Sequence, residues 1–187
     1  MVILVAVALA ASACAAPGTA PASAAAPSAA PEAPSSPTSG AASSRPARAS
    51  PAPEFTLPTV GGGTLSASAA RGGALVLNFT APDCPTCAVQ IPVLDRVAAR
   101  FAPAGVVVGI VDVSGLDDDA TLANSYREFG WTERVSIGKD TTFEVARAFR
   151  VSRMGETVII RPDGSISWQG VWADEGVLVQ AIERALG

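Results

Sequence analysis

Cys84-Pro85-Thr86-Cys87 places two of the chain's three cysteines two residues apart, and these are the residues best equipped for chemistry. A pair at that spacing can help hold a metal, staple a loop, or cycle between dithiol and disulfide. A staple closing so short a loop removes little freedom from the unfolded chain. Structural zinc needs four ligands, and the only other thiol is Cys14. The chain contains no histidine. That excludes Ser-His and Cys-His nucleophile pairs, Cys2His2 zinc sites and copper chemistry that depends on a histidine. Redox cycling is therefore the favoured use. A structural bridge, or a metal or cluster shared by two chains through Cys84 and Cys87, stands as the alternative. No cofactor and no resident metal are expected.

What positions the pair can be read from its flanks. Ala74 to Phe79 is a nearly continuous apolar run, the pattern of a strand buried on both faces. The cysteines follow at once. Val89, Ile91, Val93, Leu94, Val97, Ala98 and Phe101 then make the apolar stripe of a helix ending near Pro103. Cys84 is thus expected at a helix N-terminus, where unpaired N–H groups favour thiolate over thiol, with Cys87 one turn inside. This makes Cys84 the attacking sulfur and Cys87 the resolving one. Pro85 suits a first helical turn, because its missing N–H has no partner to lose there. Asp83 acts in the opposite sense, since a neighbouring carboxylate disfavours the thiolate.

The rest of the region 54–187 reads as alternating elements. Glu54 to Ser66 is a hairpin around Gly61-Gly62-Gly63, and Val106 to Val111 is a second buried strand. Asp117-Asp118-Asp119 lacks the ligand spacing of a calcium loop and is expected to cap a helix running to Phe129. Thr141 and Glu144 form a capping box for a helix ending at Phe149. Thr157 to Ile160 and Ile166 to Gln169 pair across Pro162-Asp163-Gly164, and Asp174 to Leu186 closes the chain as an amphipathic helix. Parallel strands joined to an antiparallel pair, with helices on both faces, make an α/β three-layer domain.

Ahead of it, Val2 to Ala11 is an apolar run too short to span a bilayer but suited to a signal peptide. Small residues lead into Cys14, and residues 1–14 resemble a signal sequence with the lipobox of bacterial lipoproteins, where the cysteine carries the lipid. Ordinary cleavage after a small residue is the alternative; both export the protein. Residues 15–53 are almost all Ala, Pro, Ser, Thr and Gly, with only Glu32, Arg45 and Arg48 charged. Such a segment cannot bury enough surface to offset its ordering entropy and is expected to be a disordered tether. The formal charge of −4 gives no basic footprint for nucleic acid.

Several motifs occur together in 54–187: the leader Glu54-Phe55-Thr56-Leu57, the strand end Asn78-Phe79-Thr80-Ala81, the tetrapeptide Cys84-Pro85-Thr86-Cys87, Pro92 five residues beyond it, and the extra helix from about Asp119 to Phe129. In these the chain resembles the TlpA-like thioredoxins, exported and often membrane-anchored thiol–disulfide oxidoreductases. The resemblance implies a thioredoxin fold with an N-terminal hairpin and an inserted helix. It further implies protein thiol or disulfide substrates, a membrane electron donor and the reducing direction, with Pro92 kinking the active-site helix. The pattern is broken at three places. Asp83 stands where the family usually has tryptophan, and Gln90 where many members have a glutamate that tunes thiol protonation. Gly155, in Met154-Gly155-Glu156, stands where thioredoxin folds hold a cis-proline facing the disulfide. Met154, Gly155 and Glu156 are the expected substrate-contact loop, and Asp83, Pro85, Thr86, Gln90 and Pro92 the supporting residues. These departures also fit a second function, a binding module that docks a partner without catalysis.

Overall fold

A nearly all-apolar stretch bounded by turns has to be covered on both sides, and Leu75–Thr80 is: every residue in it is buried. In the computed structural model, which describes residues 50–187, this strand is β4. It follows the short strands β1 (Ser50–Pro51), β2 (Thr56–Pro58) and β3 (Thr64–Ser66). After it come α1 (Pro85–Ala88), α2 (Ile91–Phe101), β5 (Val107–Asp112), α3 (Asp119–Glu128) and β6 (Ser136–Lys139). The chain ends with α4 (Glu144–Ala148), β7 (Glu156–Ile160), β8 (Ser165–Val171) and α5 (Glu175–Leu186). The readings at Cys14 and over residues 1–49 fall outside the described residues. Among the described residues no helix is long and apolar enough to cross a membrane.

Six strands form one sheet in the order β1-β8-β7-β4-β5-β6. β4, β5 and β6 run parallel, while β7 and β8 fold back as an antiparallel hairpin on the other side of β4. Alternation along β4 divides the core. Val76 packs with Leu94, Val97, Leu122, Tyr126, Leu178 and Ile182, so α2, α3 and α5 cover one face. Leu75, Leu77 and Phe79 point the other way, to Leu57 and Leu65 of the β2–β3 hairpin and to Val145 and Phe149 from the α4 region. Leu65 fits a notch made by two glycines. A Cβ on Gly109 would lie 2.6 Å from its Cδ2, and one on Gly138 3.1 Å from the same atom.

Five features differ from the sequence expectation. Ser50–Pro51 pairs with Ile166 and Ser165, so strand begins within the stretch that was expected to be disordered up to residue 53. β6 had no strong sequence signal: it is a four-residue edge strand, Ser-Ile-Gly-Lys, held by β5 on one side. The single helix expected after the cysteines is two helices, because Pro92 has no N–H for a carbonyl one turn back and its ring blocks continuation. Val89 falls in the joint between them and is 71% exposed, outside the apolar stripe. The capping box does not form either. α4 begins after Phe143 in a left-handed conformation, φ 60°, without a side-chain cap. The Asp140 carboxylate accepts from the Val145 and Ala146 N–H groups instead, at 3.3 and 2.8 Å.

The aspartate run does cap α3. Asp118 accepts from the Thr121 N–H at 2.7 Å, while Asp117 and Asp119 hold the Lys139 ammonium at 2.9 and 2.8 Å. Hydrogen bonding from Thr121, side chain before backbone, lowers the Asp118 carboxyl below its ordinary 3.8. A carboxyl whose value falls on folding adds stability above its unfolded value and loses it as pH falls through the folded one. Asp118→Ala should therefore melt below the wild type at neutral pH. The gap should close as the solution is acidified through and below the usual aspartate range, as followed by thermal denaturation across a pH series. A gap that persists in strong acid would rule out the charged cap as its source.

Candidate functional site

The two sulfurs lie just beyond the C-terminal end of β4. Cys84 is the N-cap of α1, with extended backbone, and Pro85 follows in the first turn. That turn returns the Cys87 N–H to the Cys84 carbonyl at 3.0 Å. The sulfurs are bonded, with Cα atoms 5.3 Å apart. Their exposure differs sharply. Cys87 is 1% exposed, whereas Cys84 is only half-buried and has the Thr86 hydroxyl 3.5 Å from its sulfur. An attacker in solution reaches Cys84, and Cys87 lies behind it. Asp83 is exposed beside them.

Behind the turn, Gln90 is buried and ties three segments together. An amide's two ends are told apart by their partners. With its nitrogen toward the Gly155 carbonyl and its oxygen toward the Ala173 N–H, Gln90 satisfies both at 3.2 Å. The nitrogen then also faces the Asn78 amide at 3.2 Å, and Asn78 in turn meets the Thr157 hydroxyl at 2.9 Å. Pro92, the second residue of α2, fixes where the second helix starts.

Gly155 is the point on which these segments converge. Its N–H donates to the Phe79 carbonyl at the end of β4 (2.7 Å), and its carbonyl accepts from the Trp172 N–H (3.1 Å). Its φ is +79°, a region that side chains other than glycine enter at a cost. There is no room for a side chain: a Cβ would lie 2.5 Å from Trp172 Nε1 and 2.6 Å from its Cδ1. Trp172 itself sits at φ 47°, a strained value for a bulky residue, costing on the order of 1–2 kcal/mol. The indole takes up the space that a side chain at 155 would need.

Of the expected contact loop, Met154 is exposed and Gly155 lies at the site, but Glu156 does not join them. Glu156 is buried at the start of β7, where its carboxylate accepts from the Ser152 N–H (2.9 Å) and the Gln169 amide (2.7 Å). Its side chain closes the loop from within. Trp172 was missed by sequence reasoning; its one signal was a tryptophan between the last strand and the Asp174 cap of α5. Thr86, Val89, Gln90, Val93 and Trp172 line an open, mostly apolar groove of about 500 Å³ beside the disulfide. At the neighbouring strand end, buried Asp112 accepts from the Tyr126 phenol and the Ser114 hydroxyl, each at 2.6 Å. Burial first, and then the Asp112 charge, pushes the Tyr126 phenol well above its ordinary value.

The central mixed sheet, the helices on both faces and a cysteine pair opening a helix at a strand end define a thioredoxin-like protein. The chain belongs to the AhpC/TSA family, whose model matches residues 49–169. It is 27% identical over 117 residues to the thiol-disulfide oxidoreductase ResA of Bacillus subtilis, and 30% identical over 121 residues to the methylamine utilization protein MauD of Paracoccus versutus. These matches cover 63% and 64% of this chain and 63% and 56% of the relatives, less than two thirds of either relative's length. Among solved structures it resembles a thiol:disulfide interchange protein of the thioredoxin family from Chlorobium tepidum. There the TM-score is 0.64 at 26% identity, with 75% of this chain and 99% of the other covered.

The Gly155–Trp172 contact yields a thermodynamic prediction. Gly155→Ala should destabilise the protein by about 1–3 kcal/mol, from the positive φ and the clash together. In a Trp172→Gly background the clash is gone, so the same substitution should cost at least about 0.5 kcal/mol less. Urea denaturation of the four proteins measures the difference; additive costs would show that the two residues do not share the space.

Proposed function

We propose that this chain is an exported thiol–disulfide oxidoreductase that exchanges the Cys84–Cys87 bond with protein substrates, working as a reductase. The observation that carries the reading is the unequal exposure of two bonded sulfurs at the mouth of α1. With the pair reduced, the Cys84 thiolate attacks a substrate disulfide. One substrate sulfur leaves as a thiolate and takes up a proton, and a mixed disulfide joins Cys84 to the other. Cys87, deprotonated, then attacks Cys84, releasing the second substrate thiol and re-forming the Cys84–Cys87 bond. Two electrons pass to the substrate, and a dithiol donor must restore the pair. The similarity to ResA supports this reading of the activity. The reducing direction, a membrane electron donor, and export with lipid attachment at Cys14 follow the sequence resemblance.

Insulin reduction with dithiothreitol as donor tests the chemistry. Wild-type protein should accelerate it, and Cys84→Ser should bring it back to the uncatalysed rate. Cys87→Ser should accumulate mixed disulfides, visible on non-reducing gels. Equal rates for wild type and Cys84→Ser would end the reading and leave the non-catalytic docking module. Attachment is tested separately: Cys14→Ser should move the full-length protein from the membrane to the soluble fraction of cells. An unchanged distribution would remove the lipid from the account.

A further inference from the structure

We infer that Trp172 sets substrate preference at this disulfide. The groove it walls takes an extended polypeptide segment that carries an aromatic or large aliphatic side chain next to its reactive cysteine. The inference rests on the exchange reading above and deepens it.

The first ground is where apolar surface is left uncovered. Val89 is 71% exposed, Trp172 52% and Met154 42%. They come from three separate segments: the joint between α1 and α2, the loop after β8, and the loop before β7. All three segments meet at Gly155 and Gln90. Uncovered apolar residues drawn together from distant parts of a chain mark a contact surface better than scattered ones do.

The second ground is that the Trp172 ring is placed rather than loose. Its backbone N–H is spent on the Gly155 carbonyl, its φ is 47°, and its indole rests where Gly155 has no Cβ. Holding a bulky residue in that conformation is the kind of local strain that clusters at ligand-binding sites. Aromatic rings so fixed offer a large contact face at little further entropy cost.

The third ground identifies the occupant. Thr86, which lies between the two cysteines, lines the groove together with Gln90, so the groove borders the cysteine turn. Residues adjacent to a cysteine bonded to Cys84 come within reach of it. The walls are mostly apolar, and the one charged residue lining it is Asp174; Asp83 adds a second exposed carboxylate beside Cys84. An apolar neighbour fits such walls, whereas an acidic neighbour is repelled. The preferred substrate is thus a protein segment with an apolar, non-acidic flank, in contrast to small anionic disulfides.

Three disulfide-bonded peptides of one sequence, differing only in phenylalanine, glycine or aspartate beside the cysteine, provide the test. Wild-type kcat/KM should favour phenylalanine over glycine by about tenfold, with aspartate the poorest. Trp172→Gly should bring the phenylalanine-to-glycine ratio close to one, and Trp172→Phe should retain most of it. Trp172→Asn removes the ring while tolerating the same backbone conformation, so it serves as a second variant should the glycine protein fail to fold. An unchanged ratio in the ring-deleted proteins overturns the inference and leaves the exchange reading standing. A wild type no faster than Cys84→Ser on all three peptides overturns both. Trp172-dependent self-association with no peptide preference would assign the surface to a second copy of this chain and also overturn it.

Discussion

A single residue organises the reactive end of this protein. The N–H of Gly155 donates to the Phe79 carbonyl near the end of the central strand, and its carbonyl is shared between the Trp172 N–H and the Gln90 amide. The chain segments before β7, after β8 and after the cysteine turn are therefore fixed relative to one another by one residue that can carry no side chain. The sequence resemblance puts a cis-proline here in thioredoxin folds, a rigid residue with bulk of its own. In this chain the bulk is supplied from across the loop by an indole, and the rigidity by hydrogen bonds on both sides of the glycine.

That arrangement also bears on Gln90. Buried and committed to backbone groups on two loops, it acts as a crossbar. A carboxylate there would face the Gly155 carbonyl, acceptor against acceptor, where the amide nitrogen donates. Gln90 and Gly155, two of the positions at which the sequence was expected to depart from the TlpA-like pattern, thus meet in one hydrogen-bond network.

Much of the architecture was legible in the sequence because local signals and burial agreed. The β4 run, the β2–β3 hairpin around three glycines, the Asp118 cap and the closing helix each show a pattern that tertiary contacts reinforce. What escaped was decided at long range. β6 is a strand because β5 offers it an edge, and its four residues carry little pattern of their own. The capping box lost to Asp140, whose carboxylate, just past the end of β6, takes the Val145 and Ala146 N–H groups of the helix. Val89 matched the helical stripe by spacing, yet Pro92 broke the helix and left it outside. The spacing and flanks of Cys84 and Cys87 pointed to their bonding at a helix mouth, whereas the place of Trp172 could not be read, since it depends on the empty side of a glycine seventeen residues away.

The strand β1 adds something different. Ser50–Pro51 joins β8 beside Ser165 and Ile166, next to the turn that links the last two strands. Register through β8 and β7 puts this seam level with Leu75, where β4 begins, and so at the opposite pole of the sheet from the sulfurs. Force transmitted through the polypeptide upstream would load that far seam first. Chain entry and disulfide thus sit at opposite ends of the sheet, and a load on the first strand bears on the end remote from the sulfurs.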